Sequence, residues 1–227
     1  MSIASNLAEV RTRIVRAAQA AGRDPAGVKL VAVSKTKGAD LIREAYAARQ
    51  RAFGENYAQE LVGKAEALAD LRDLEWHFIG HLQTNKARVV AAHTHFVHTI
   101  DSAALARELG KRVAKLQRAA PMPVLIEVSV AGEAQKAGAA PSDIDEVMRA
   151  VSEQPSLALR GLMTVPPVDD REAARRAFET LVSLRNLHGG PRVPPELSMG
   201  MSLDLEVAIA CGATIVRVGT AIFGARA

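Results

Sequence analysis

The chain has 227 residues, 48% of them hydrophobic and 24% charged, with a net charge of +4. That balance predicts one globular domain over residues 1–227 and excludes a disordered chain, and no apolar run is long enough to form a membrane-spanning helix. Lys and Arg are scattered along helical faces and only 4% of residues are aromatic, which argues against a nucleic-acid binder; the single cysteine, Cys211, excludes an internal disulfide and fits a reducing cytoplasm.

The first predicted element is an amphipathic helix. Ile3, Leu7, Val10 and Ile14 recur at helical spacing, with Glu9, Arg11, Arg13 and Arg16 between them, a pattern of a packed helix rather than a signal peptide. Strands and helices then alternate. Strands are expected at 29–34, 51–55, 76–80, 95–100, 123–130, 157–164, 196–199 and 214–218. Helices are expected at 39–49, 56–70, 82–92, 102–118, 141–153, 170–187 and 202–211. Two of these carry clear stripes: Leu105, Leu109, Val113 and Leu116 in one, and Ile144, Val147, Met148 and Val151 in the other. Eight strands separated by helices predict an α/β fold, a single (β/α)8 TIM-type barrel with an extra N-terminal helix. Pro166-Pro167 and Pro194-Pro195 read as loops at strand ends.

In such a barrel the chemistry lies at the C-terminal ends of the strands. Lys35 follows the apolar run Leu30–Val33, where a partly desolvated amine is suited to attack a carbonyl. Glu55 and Asn56 follow the second strand, Gly80 and His81 the third, and Asp101 the fourth; Met163 and Thr164 end the sixth. Ser198-Met199-Gly200-Met201-Ser202 precedes a short helical run, with Ser202 as the expected N-cap, and Gly219-Thr220 follows the last strand. Each turn alone reads as an ordinary turn; both together in a barrel predict a phosphate site. Arg217 sits between apolar strand residues, either salt-bridged inside the barrel or facing a polar cavity at its top. An amine, a phosphate cradle and a buried guanidinium suit an aldehyde bearing a phosphate, with pyridoxal phosphate the leading candidate.

Several segments also resemble a known family. Ala32–Thr36, Phe53–Tyr57, Trp76–Gln83, Gly161–Met163, Leu197–Ser202 and Arg217–Gly224 look like the corresponding motifs of pyridoxal phosphate homeostasis proteins, in order and over nearly the whole chain. The resemblance implies one barrel similar to the N-terminal domain of alanine racemase, without that enzyme's second domain. It implies a Schiff-base lysine at Lys35 and a phosphate held by Ser202, Gly219 and Thr220. Arg217 would face the pyridine nitrogen, keeping it unprotonated because guanidinium has donors and no acceptor. Asn56 would lie beside the ring, and His77 and Met163 complete the expected cofactor-binding set. Lys136 matches a second lysine that the family often has, in a less well matched loop, and Gly38 stands where many members have proline.

The function so implied is intracellular buffering or delivery of pyridoxal phosphate by a monomer in transient contact with apo enzymes, without dedicated catalysis, nucleic acid or membrane. The alternative is a pyridoxal-phosphate-dependent amino-acid racemase, which needs bases on both faces of the ring. Only Tyr46 and Tyr57 are available as a second base, neither at a convincing strand mouth. A cofactor-free Schiff-base aldolase acting on a sugar phosphate is a third reading. His93, His95 and His98 read as surface or helix-end residues rather than a metal site, His77 as lining the barrel or satisfied in the core, and Cys211 as buried and inert.

Overall fold

The computed structural model describes residues 2–130, 137–167, 170–188 and 196–225. Eight strands form a closed barrel in sequential order: β1 (Lys29–Val33), β2 (Ala52–Glu55), β3 (Glu75–Phe78), β4 (Phe96–Ile100), β5 (Met122–Glu127), β6 (Leu157–Met163), β7 (Glu196–Ser198) and β8 (Ile215–Val218). All neighbours are parallel, and β1 closes the ring on β8, with Ala32 opposite Val218. The helices are α1 (Ile3–Ala20), α2 (Ala39–Ala47), α3 (Ala58–Ala67), α4 (Ala87–His93), α5 (Ala103–Ala114), α6 (Ile144–Ser152), α7 (Arg171–His188), α8 (Leu205–Ala210) and α9 (Thr220–Phe223). None of the described helices is long and apolar enough to cross a membrane.

Every expected strand is present, with ends shifted by no more than a few residues. The expected helix at 202–211 starts later, at Leu205, because Asp204 rather than Ser202 stands at its N-cap position. Ser202 lies in the preceding turn, where its Oγ accepts the Ala221 N–H at 3.3 Å. The one-turn helix α9 has no counterpart in the expected pattern, since four residues carry no periodicity.

Alternation along each strand divides the core in two. Outward residues such as Ala32, Phe53, Val97, Ile126, Leu162, Val216 and Val218 pack against the helices in one large cluster. Inward residues Val31, Ala52, Phe96, Leu125, Met163 and Ile215 form a separate cluster inside the barrel. Helix α1 does what the short α9 cannot: it buries Ile3, Leu7, Val10, Ile14 and Ala18 against α2, α8 and α9. Each such large apolar side chain contributes about 1.5–3 kcal/mol. Polar contacts fix its rotation, with Asn6 Nδ2 donating to the Ile222 carbonyl at 2.9 Å and Arg23 to the Ile209 carbonyl at 2.7 Å.

Candidate functional site

At the C-terminal mouth of the barrel lies a cavity of about 700 Å³, lined by Lys35, Asn56, Ser202, Arg217, Gly219 and Thr220 among others. Six of the eight residues expected to bind the cofactor therefore share one cavity. His77 and Met163 are not on its wall: both are buried, His77 in a polar column beneath the mouth and Met163 in the inner apolar cluster. Lys136, and Pro194-Pro195, lie outside the described residues.

Strand pairing explains why the six meet. Ala32 opposite Val218 brings the segment carrying Lys35 beside Gly219-Thr220, and Val33 opposite Gly54 brings Asn56 to its other flank. Two glycines make the approach possible. A Cβ on Gly80 would lie 2.2 Å from the Asn56 carbonyl oxygen, so only glycine lets the chain after β3 pass against Asn56. Gly200 has φ +95°, and its Cβ would meet that of Ala208 at 2.5 Å, so the turn leading to Ser202 requires glycine twice over.

The turns after β7 and β8 are joined to each other and braced from outside. The Ala221 N–H to Ser202 Oγ bond ties the turn after β7 to the start of α9. Met201 N–H donates to Asp204 Oδ1, which closes the first turn on itself. Arg13 of α1 donates to the Ser202 carbonyl at 2.9 Å and clamps Glu206 through both carboxylate oxygens. This bracing joins residues 189 apart in sequence, so no local pattern announces it.

The segment after β1 is held by a buried ion cluster. Lys64 Nζ donates to the Ser34 carbonyl at 2.7 Å, to Glu55 Oε1 at 2.8 Å and to Glu60 Oε2 at 2.8 Å. Ser34 Oγ donates to Glu55 Oε1 at 2.6 Å, and Thr36 N–H donates to Glu60 Oε2 at 2.8 Å. The latter bond supports Thr36 at φ +63°, a costly conformation for a β-branched residue. The residues on both sides of Lys35 are thus fixed, and Lys35 itself is half-buried. Burial pushes the Glu55 carboxyl above its ordinary range, against the opposing pull of Lys64.

Beneath the cavity Arg217 is 4% exposed. Its Nη1 donates to Ser198 Oγ at 2.6 Å and its Nη2 to the Thr164 carbonyl at 3.0 Å. Burial draws the guanidinium down to about 10, with Glu127 and Asp204 pulling the other way, so it stays charged at neutral pH. His98 was expected near the surface but is fully buried, because its side of β4 faces the barrel interior; its Nδ1 lies 2.9 Å from Ser198 Oγ. Of the other two histidines, His95 is exposed and His93 half-buried. Cys211 is half-buried rather than buried, and burial raises its thiol pKa, which keeps it protonated and unreactive near neutrality.

Glu127, the last residue of β5, is 7% exposed and its Oε2 has no hydrogen-bond partner among the described residues. Burial pushes its carboxyl up to about 7, opposed by Arg217 and reinforced by Asp101. A raised folded pKa means that the folded chain holds more protons than the unfolded one between the reference 4.5 and about 7, so stability falls as pH rises through that window. Glu127→Gln should remove this slope. Urea unfolding from pH 5 to 8 should show the wild type losing about 3 kcal/mol relative to the variant. Parallel curves would place the Glu127 carboxyl in an ordinary environment.

The chain is similar to known proteins over nearly all of its length. Residues 5–227 match the family model of the alanine racemase N-terminal domain. The chain is 52% identical to a pyridoxal phosphate homeostasis protein of Pseudomonas aeruginosa, covering 99% of this chain and 96% of that protein. It is 47% identical to one of Escherichia coli, covering 99% and 97%. Among solved structures it is similar to PipY of Synechococcus elongatus with PLP bound, at TM-score 0.83 and 37% identity, covering 98% of this chain and all of that one.

Proposed function

The chain belongs to the pyridoxal phosphate homeostasis protein family, with the alanine racemase N-terminal domain spanning it, and on that premise we propose that it binds pyridoxal phosphate reversibly and holds it for delivery. The observation that carries this reading is the meeting of Lys35, Arg217 and the two phosphate-type turns on the wall of one cavity. The residues fit the group. A volume of about 700 Å³ is within the usual range for small-ligand sites. The amine suits an aldehyde, the hydroxyls of Ser202 and Thr220 suit a phosphate, and a guanidinium that only donates suits an unprotonated ring nitrogen.

In this reading Lys35 holds the aldehyde carbon as a reversible Schiff base, its neutral amine adding to the carbonyl as water leaves. Ser202, Gly219 and Thr220 hold the phosphate, and Asn56 flanks the ring. When bound, pyridoxal phosphate supplies an electron sink for carbanion chemistry, and Arg217 weakens that sink by leaving the ring nitrogen without a proton. The site is therefore better suited to holding the group than to using it. Neither Tyr46 nor Tyr57 favours racemisation: Tyr46 is hydrogen-bonded to Asp73, Tyr57 stands half-exposed at the start of α3, and neither lines the cavity. We place the protein in the cytoplasm, handing the group to apo enzymes by transient contact.

The test is an absorption spectrum and intact mass of the protein mixed with pyridoxal phosphate, before and after borohydride. A near-visible band that reduction converts into one pyridoxyl adduct supports the reading. Absence of both, with sugar phosphates trapped instead, would favour an aldolase.

A further inference from the structure

A column of polar side chains runs through the barrel below the cavity, where an apolar filling would be ordinary. From the top, Arg217 Nη1 is 2.6 Å from Ser198 Oγ, Ser198 Oγ is 2.9 Å from His98 Nδ1, and His98 Nε2 is 2.8 Å from His77 Nδ1. His77 Nε2 then faces Glu75 Oε2 at 3.6 Å, and Glu75 is paired with Lys29 at the other end of the barrel. Ser198, His98 and His77 are each no more than 1% exposed. The two imidazoles pack against Phe96 with centroid separations of 4.5 and 5.3 Å, which fixes their planes.

The two ends of the column set its direction: the Arg217 guanidinium only donates, and the ionised Glu75 carboxylate only accepts. Guanidinium only donates, so Ser198 Oγ must accept from Arg217. The Ser198 hydroxyl proton can then point at His98 Nδ1, and the Glu75 carboxylate at the far end, an acceptor only, favours this sense, with the His98 proton on Nε2. His98 Nε2–H donates to His77 Nδ1, so His77 also carries its proton on Nε2, toward Glu75. Burial holds both imidazoles neutral, with His77 down at about 4 and His98 well below its ordinary value. Every bond points away from the cavity. Of the five N–H groups of Arg217, one is spent on Ser198 and one on the Thr164 carbonyl, and Arg217 is among the residues that line the cavity.

We propose that Ser198 and His98 are positioning residues for Arg217: a one-way hydrogen-bond column fixes the plane of the guanidinium, and so where its donors point, toward whatever ring occupies the cavity. Resting on the proposed cofactor reading, this gives the column a use that packing alone does not require. It aims the ring-facing edge from within the barrel, using residues that touch no ligand.

The column's direction is tested on the ligand-free protein by imidazole nitrogen chemical shifts. The expected result is His98 and His77 both in the Nε2–H form, with no titration across the neutral range. His98→Leu, which leaves Ser198 bound to Arg217 but removes the acceptor for its hydroxyl, is expected to weaken pyridoxal phosphate binding about tenfold and to shift the pH midpoint of the bound spectrum. His98→Asn, which restores an acceptor near the Nδ1 position, is expected to recover most of both; Ser198→Ala serves the same purpose if the leucine variant does not fold. A proton on His98 Nδ1, or a folded His98→Leu or Ser198→Ala protein with the wild-type affinity and midpoint, would overturn the proposal. If the wild type takes up no pyridoxal phosphate, the cofactor reading fails, and the nitrogen shifts still decide the direction of the column.

Discussion

Lys35→Ala protein is expected to retain no borohydride-stable adduct and to show no near-visible band of bound pyridoxal phosphate. It should still fold, because Lys35 is half-buried at the end of a strand while its neighbours are held independently by Glu60, Lys64 and Glu55. The turns after β7 and β8, braced by Arg13 and by the Ala221–Ser202 bond, do not depend on it either. Residual binding through phosphate and ring contacts should therefore survive, weaker by about 100-fold or more, a loss of at least ~2.8 kcal/mol. Equilibrium dialysis measures that residue, and the mass after reduction reports the covalent part. A reduced adduct persisting at one defined site in the variant would move the aldehyde-bearing role to another lysine.

The second large effect is on stability and falls on Lys64. Its side chain is 11% exposed and that of Glu55 is fully buried, so the pair has little water to fall back on. Lys64→Met leaves Glu55 without its cation and takes a donor from the Ser34 carbonyl. Breaking a buried pair from one side costs about 3–5 kcal/mol, and the same is expected here in urea unfolding. The deficit should grow as pH rises, because Glu55, already pushed up by burial, escapes part of the penalty only while it keeps a proton. Adding Glu55→Gln to Lys64→Met should recover part of the loss. A double variant no more stable than Lys64→Met alone would show that the buried charge on Glu55 is not what Lys64 compensates.

The barrel was legible because its strands are short, mostly apolar runs bounded by helical periodicity, as in Leu30–Val33, and eight such runs admit few architectures. Six residues of the cavity wall were legible because strand ends in this fold converge on one mouth. Features built from distant pairs were not. Lys64 reads in sequence as one more helical lysine, and nothing local says that it turns inward to Glu55, nine residues away, and to the Ser34 carbonyl, thirty away. His98 reads as one of three clustered histidines until β4 is set in the barrel opposite Ser198, one hundred residues on. Ser202 looked like a helix cap because Ser and Asp compete for that role. Asp204 holds the position and Ser202 reaches across to α9 instead.

Closure of β1 on β8 has a consequence for the life of the molecule during synthesis. Lys35 emerges from the ribosome long before Arg217, Gly219 and Thr220, with which it shares the cavity. The loop between them spans most of the chain, and its ends gain nothing until β8 has been made. A nascent chain that has passed Lys35 but not yet β8 thus lacks one wall of the cavity, and Lys35 meets Arg217, Gly219 and Thr220 only once β8 has been made.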